Sequence, residues 1–516
     1  MGMILLGSSC KKYLDINTNP NTATLTTATP ELIMPQVLTG MANVVNTYNS
    51  YGSQLGGYGA NAGGYGGFGT AISYNFASSD YQNNWTASYD NLEDFQTVIN
   101  LSAPKMPAYG YFSGAAKIMK AYGFQLLVDA YNNIPYSEAL QGADKLTPVY
   151  TDATKIYAGL ASLLDTAIKE INTAQGVTNG TVIPMTTQDV IFKGDMNKWK
   201  QFANTIKLRL IVRGTGKTTF ANTTFDPAGF LSTDVLINPG FTRDNGRQNP
   251  AWNNWGYAYT GGDATKSWVP STFIFGFYDG HKILDTLRGK ATYYQFPNTG
   301  TNQLGHESVD NPKCPPGSYW YIGTTRAGTS AGNSKGILKG PNAGFPIMLA
   351  AESYFLQSEA AVRGIVNGDA KALFNSGIVA SYNYLYQLPD GSVSGNPTAD
   401  VTKYQADNPS NYLVNFSLAS GASQQVEAII TQKYIALNWI NGQESWNEYR
   451  RTGYPATTYA AVPDPHQTFA STVSEQPSRP DKLPTRILYP PTEGSYNPTN
   501  VPKNISPFTS LIFWAK

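Results

Sequence analysis

Charge, histidine and cysteine are all scarce in this chain. Of its 516 residues only 14% are Asp, Glu, Lys or Arg, against about 25% in ordinary soluble proteins. Lys+Arg 36 nearly balances Asp+Glu 35, which leaves a net charge of +1. Nucleic acid is a poor partner for such a chain, because phosphate binding needs a clustered positive excess. The 3 histidines are His281, His306 and His466. None stands in a His-Glu-x-x-His arrangement or beside a cysteine at zinc spacing, which speaks against a metal hydrolase and yields no metal ligands. A serine or cysteine nucleophile would have to recruit one of these loop histidines as its base. No stretch reaches the ~18 apolar residues of a membrane-spanning helix. Wholesale disorder is excluded too, because 41% of the residues are hydrophobic and the net charge is small.

Aromatic residues, by contrast, are plentiful: Tyr 34, Phe 22 and Trp 9, with Gly 49 and Pro 32. Thr, Asn, Gly and Tyr occupy the surface that Lys and Glu usually take. That balance suits a protein outside the cytoplasm that meets neutral ligands, although aromatics also build cores. The length is enough for several cores, at ~150 residues per typical domain.

The 2 cysteines are Cys10 and Cys314. Apolar Met3-Ile4-Leu5-Leu6, small Gly7-Ser8-Ser9, Cys10 and then Lys11-Lys12 look like a lipoprotein processing site, with Cys10 as the lipidated residue. The apolar run is shorter than the ~7–15 residues of a signal peptide, and no basic residue precedes it. The expectation is a signal remnant over 1–10, with its true start upstream. Cys314 then stays a free thiol, packed as a small hydrophobe. Residues 11–30 read as a polar tether, and Thr29-Pro30-Glu31 opens the first helix, since proline fits where its missing N–H has no partner.

Three apolar stripes at helical spacing follow: Ala115, Ile118, Met119, Tyr122 and Leu126; Ile156 through Ile171; and Trp199 through Leu210. Residues 56–69 read as a glycine- and aromatic-rich loop. The pattern vanishes over 215–345 and returns in helices predicted at about 346–366, 369–387 and 423–441. The tail from 452 is proline-rich and irregular. Helix pairs about 35–40 residues apart hint at a tetratricopeptide-like scaffold. The long irregular section is either functional or hides short strands.

Some motifs fail on context. Gly64-x-Gly66-x-x-Gly69 matches the dinucleotide fingerprint but neither follows a hydrophobic strand nor opens an amphipathic helix. Gly391-Ser-Val-Ser-Gly395 has valine where a nucleophile elbow needs serine. Glu352 and Glu359 fall seven apart on one helical face. A glycosidase needs only two such acids, but bonds to neighbouring helices are the favoured reading.

Five segments resemble the SusD/RagB family of nutrient-binding outer-membrane lipoproteins. They are Cys10-Lys-Lys-Tyr-Leu-Asp15; Asn84-Trp85-x3-Tyr89-x2-Leu92; Ala121-Tyr122 through Asp129-x-Tyr131-x2-Ile134-Pro135-Tyr136-Ser-Glu138-Ala139; Ala351-Glu352-x-Tyr354-Phe355-Leu356-x2-Glu359-Ala360; and Arg486-Ile-Leu-Tyr489-Pro490-x2-Glu493 with Asn497. They occur in the family's order. The resemblance implies a mainly α, SusD-like fold with tetratricopeptide-like helix pairs, few short strands and a loop-rich ligand side. It implies one domain over 31–516: a scaffold at about 31–214 and 346–451, ligand loops at about 215–345 and a tail at 452–516. It further implies a lipid-anchored protein at the cell surface of the outer membrane. Such a protein captures oligosaccharide, needs no cofactor, does no chemistry, and delivers its ligand to a SusC-like TonB-dependent transporter. A peptide-binding member of the family and an all-α glycoside hydrolase are the alternatives.

Sugars present flat C–H faces and a rim of hydroxyls, so aromatic rings flanked by amides suit them. The ring-rich stretches supply the candidates Trp252, Trp255, Tyr257, Tyr259, Trp268, Trp320 and Tyr321, with Tyr65 and Tyr74 in or beside the glycine-rich loop. Trp252, Trp268 and Trp320 serve equally well as anchors of a strand-poor core. Trp85 is assigned to the core.

Overall fold

A computed structural model describes residues 28–460, 464–474 and 479–516. Cys10 and most of the tether lie outside them. The first helix, α1 (Pro30–Leu55), starts as its sequence requires, with Thr29 extended and Pro30 at the first helical position. It is followed by α2 (Gln82–Ser102), α3 (Gly110–Tyr131), α4 (Ala153–Gln175) and α5 (Met196–Gly214). Each packs on its predecessor. α4 shows the logic: the Asp152 carboxylate accepts from Thr154 N and so satisfies an otherwise orphaned N–H. Ile156, Leu160, Leu164, Ala167, Ile168 and Ile171 then form its buried stripe. α3 has only Tyr111, Lys117 and Lys120 partly at the surface, which makes it the central helix.

The second block holds α6 (Ala350–Val362), α7 (Ala370–Tyr386), α8 (Pro397–Asp407), α9 (Gly421–Ala436) and α10 (Gly442–Thr452). α10 packs on α1, α6 on α5, and α6 on both α7 and α9, so the second helical block closes on the first. α8 was not predicted, yet its start is legible: Asn396 caps Ala399 N and Pro397 follows at the first position. Of the helix predicted over 346–366, the first residues form a strand, Phe345–Met348, and the helix itself runs Ala350–Val362.

The helix predicted over 423–441 stops early, at Ala436, and a separate helix starts at Gly442. The chain breaks between α9 and α10, where Trp439 takes φ 60°. The cause is a side chain from α1. Asn49 donates to Trp439 O (3.1 Å) and accepts from Gly442 N (2.7 Å).

The strands are short and pair antiparallel: Gly59–Asn61 with Trp268–Pro270, Ile134–Pro135 with Tyr150–Thr151, and Val235–Ile237 with Phe345–Met348. One hydrophobic cluster runs from Met34 to Trp514 and takes in both helical blocks and the intervening loops. Three of the five segments that carry the family resemblance meet at the end of α3. Trp85 packs edge-on to Tyr131 (5.0 Å) and Tyr489 (5.9 Å). Tyr89 donates to Pro135 O (2.7 Å), and Tyr489 donates to Tyr131 O (2.9 Å) and Asn133 O (2.6 Å).

Glu352 and Glu359 are structural. Glu352 accepts from Arg209 (2.8 Å), and Glu359 accepts a two-pronged contact from Arg451 (2.7 Å each). They belong to a buried charge network with Arg213, Lys433, Glu444 and Glu448 that joins α5, α6, α9 and α10.

Candidate functional site

The loop section between the helical blocks carries the predicted ligand rings, and the structure divides them. Trp252, Trp255, Tyr257, Trp268, Trp320 and Tyr74 are buried. Their expected role as an exposed ligand platform is corrected, because each ring is already occupied. Trp320 stacks on Trp439 (4.2 Å between centroids, 25° between planes), and Trp255 meets the Trp439 ring edge-on at 4.8 Å. Trp439 reaches this position only because the chain breaks between α9 and α10, so the trio bolts the loops to the scaffold. Trp252 lies on the short helix Pro250–Trp255, capped by Asn249, and sits beneath the Arg243 guanidinium at 5.8 Å. Tyr257 donates its hydroxyl to Arg326 O. Trp268 is in the strand opposite Asn61, with the Phe68 ring edge-on at 5.6 Å. Tyr74 accepts from Ser471 N at 3.1 Å.

Tyr65 and Tyr259 remain open, 41% and 42% exposed, and Tyr321 is half-buried. Tyr65 stands on the glycine-rich loop, beside Lys266 and its ion-pair partner Asp263. The hydrogen bond from Lys266 to Asp263 holds the ammonium above its usual pKa. The Asp263 carboxylate also accepts from Gly317 N (2.9 Å), which ties the Tyr259 hairpin to the 311–326 loop. Arg326 lies over the half-buried Tyr294 ring, 3.8 Å from its centroid. Cys314, as expected, is a free thiol. Burial pushes its pKa up to about 11, so it is not a reactive nucleophile.

Next to the Tyr259 hairpin the structure opens a cleft of about 500 Å³, lined by Phe241, Thr242, Arg243, Thr329, Ser330, Asn333 and Asn342 among others. The hairpin joins the cleft wall at Gly261, which has φ 89°. A Cβ there would lie 3.2 Å from Thr329. Arg243 donates through Nη2 to Ala331 O at 2.5 Å, while its Nη1 has no partner among the described residues. Two amides and three hydroxyls in one cleft can bond several ligand hydroxyls. The sequence reading missed these polar residues. They follow no period, and only the local Asn, Gly and Thr richness marked the region.

Chain-wide comparison agrees with the fold. Residues 20–229 match a family model described as "Starch-binding associating with outer membrane", and residues 335–509 match one described as "Susd and RagB outer membrane lipoprotein". The chain belongs to the SusD/RagB family. SusD homologues of known structure share its fold nearly end to end. One from Parabacteroides distasonis is 20% identical, with a TM-score of 0.67 over 95% of this chain and 98% of its own. One from Bacteroides fragilis is also 20% identical, at 0.65 over 95% and 100%. A chitin-binding SusD homologue from Flavobacterium johnsoniae is 21% identical, at 0.64 over 93% and 99%. No curated protein sequence matches the chain. Both family models describe outer-membrane association, and no described helix is long and apolar enough to cross a membrane.

Proposed function

We infer that this SusD-like protein captures neutral glycan on its loop-rich face and passes it, unaltered, to a TonB-dependent transporter of the SusC type. In this reading it is held at the cell surface by lipid on Cys10. The observation that carries the reading is the presence, on the loop section, of two open tyrosines, Tyr65 and Tyr259, and of a polar cleft whose lining side chains carry a single charge, that of Arg243. Rings cover sugar faces, and the Asn, Thr and Ser groups bond the hydroxyl rim. The hydrolase alternative loses its two carboxylates, since Glu352 and Glu359 are buried and committed to arginines.

The test is calorimetry with chitin oligosaccharides, because a structural relative is described as chitin-binding, and with maltooligosaccharides, because one family model is described as starch-binding. Tyr65→Ala and Tyr259→Ala should each weaken binding by up to roughly ten-fold, about 1 kcal/mol per ring. Arg243→Met should weaken it as well, with a small fall in melting temperature from the lost bond to Ala331 O. Unaltered affinity in all three variants would move the site elsewhere. Release of reducing ends from either glycan would overturn the binding-only reading.

A further inference from the structure

Two of the three histidines, far apart in the sequence, meet face to face. The His281 and His466 rings stack 3.9 Å apart at 13°. Each closes the same small motif, Asp279-Gly280-His281 on the loop section and Asp464-Pro465-His466 on the tail. In both, the histidine N–H returns to the aspartate two residues earlier, at 3.1 and 2.9 Å. In both, the ring Nδ1 faces that same carboxylate, at 2.9 and 3.2 Å. Two carboxylate-oriented imidazoles therefore stand side by side. One donor atom each from Asp279, His281 and His466 lies within 4.8 Å of the other two. The remaining charged group nearby, Lys282, lies over the Phe273 and Phe277 rings, 3.4 and 4.4 Å from their centroids.

We propose that Asp279, His281 and His466 form a binding site for a divalent transition-metal ion, with zinc as the best fit. Two imidazoles and one carboxylate are a donor set that zinc accepts and that calcium and magnesium, which prefer all-oxygen sites, do not. Carboxylates that orient ligating imidazoles are the usual support of such sites, a role open to Asp464. Three protein donors leave a fourth position to water.

An imidazole binds an ion in its own ring plane, so two parallel rings cannot aim at one ion together. Loading must therefore unstack the pair, and His281, whose side chain is 55% exposed, has the room to turn. The ion would staple the tail to the loop section. The tail segment after His466 is already packed into the core: Phe469 packs on Phe273 at 5.0 Å, and Ser471 N donates to the Tyr74 hydroxyl.

The test uses tag-free protein stripped with chelator. Zinc chloride alone should bind with one-to-one stoichiometry by calorimetry. At a hundred-fold excess over Kd it should raise the melting temperature by about 2–3 °C. His281→Ala and His466→Ala should each cut zinc affinity at least ten-fold and leave the metal-free melting temperature within about 1 °C of wild type. His306→Ala should bind zinc as wild type does. X-ray absorption of the loaded protein should report two imidazole ligands. The proposal is overturned by an absence of zinc binding, by binding that survives both single substitutions, or by an equal response to calcium. None of these readouts involves glycan, so the site stands or falls apart from the glycan assignment.

Discussion

Glu448→Ala should lower the melting temperature by about 3–5 °C. One oxygen of Glu448 accepts from Arg213 (3.0 Å) and Lys433 (3.2 Å), and the other accepts from Arg451 Nε (2.9 Å). All four side chains are buried. Removing one partner from a buried network leaves uncompensated charge and costs about 3–5 kcal/mol. The unfolding entropy of a chain this long, at about 2.1 cal/mol/K per residue, makes each kcal/mol about 1 °C. The exposed pair Lys403–Asp407 is the contrast: at 2.8 Å it has similar geometry, but Asp407→Ala should cost no more than about 0.5 kcal/mol. A Glu448→Ala protein that melts like wild type would remove the network from any account of stability.

Three carboxylates of this network set an acid limit, against Glu352, which burial and the neighbouring Glu444 push up. Burial pushes Glu448 up, but Arg451, Lys433 and Arg213 outweigh it and hold the carboxyl well below its usual range. Glu444, through Arg213, and Glu359, through Arg451, are lowered against burial in the same way. A carboxyl lowered in the folded state contributes its full stability above the unfolded value of ~4.3 and loses it as pH falls through the folded value. Thermal melts should therefore shift downward below about pH 4. Glu448→Ala, with one such group fewer, should show a shallower acid slope.

The second large effect is expected at a backbone contact. The last turn of α1 and the first residues of α10 touch through two glycines. A Cβ at Gly442 would lie 2.2 Å from Ser53 N, and one at Gly52 would lie 2.3 Å from Gln443 N. The obstacles are main chain on both sides, so no side-chain rotation relieves them. Overpacking costs about 1–3 kcal/mol where side chains can shift, and more where they cannot. Gly442→Ala should therefore cost about 3 kcal/mol or more, read as a lower guanidinium midpoint and poor soluble yield. Gly494→Ala, in a short helix with nothing within 4 Å of the added carbon, should be neutral or slightly stabilising. Equal midpoints for the two variants would refute the contact.

The helical blocks were legible because their signal is local. A stripe such as Ile156 to Ile171, opened by Asp152, states both the helix and its buried face in one run of sequence. The break before α10 was not legible, because it is imposed by Asn49 from α1. With the break missed, Trp439 was read as the end of a helix, and nothing showed that Trp255 and Trp320 already had a stacking partner. The ring-rich loops therefore yielded the open tyrosines, Tyr65 and Tyr259, and the buried rings together, with nothing local to tell them apart. The paired Asp-x-His turns were invisible for the same reason: each is an ordinary loop until the tail folds back onto the other.

The burial of all nine tryptophans has a spectroscopic consequence. Indole emission from this protein should be blue-shifted, and the close Trp320–Trp439 pair should give it a strong near-ultraviolet dichroic signal. Both will report unfolding faithfully. Neither should move when a sugar binds at the site proposed on Tyr65 and Tyr259, so that proposal expects a flat tryptophan fluorescence titration.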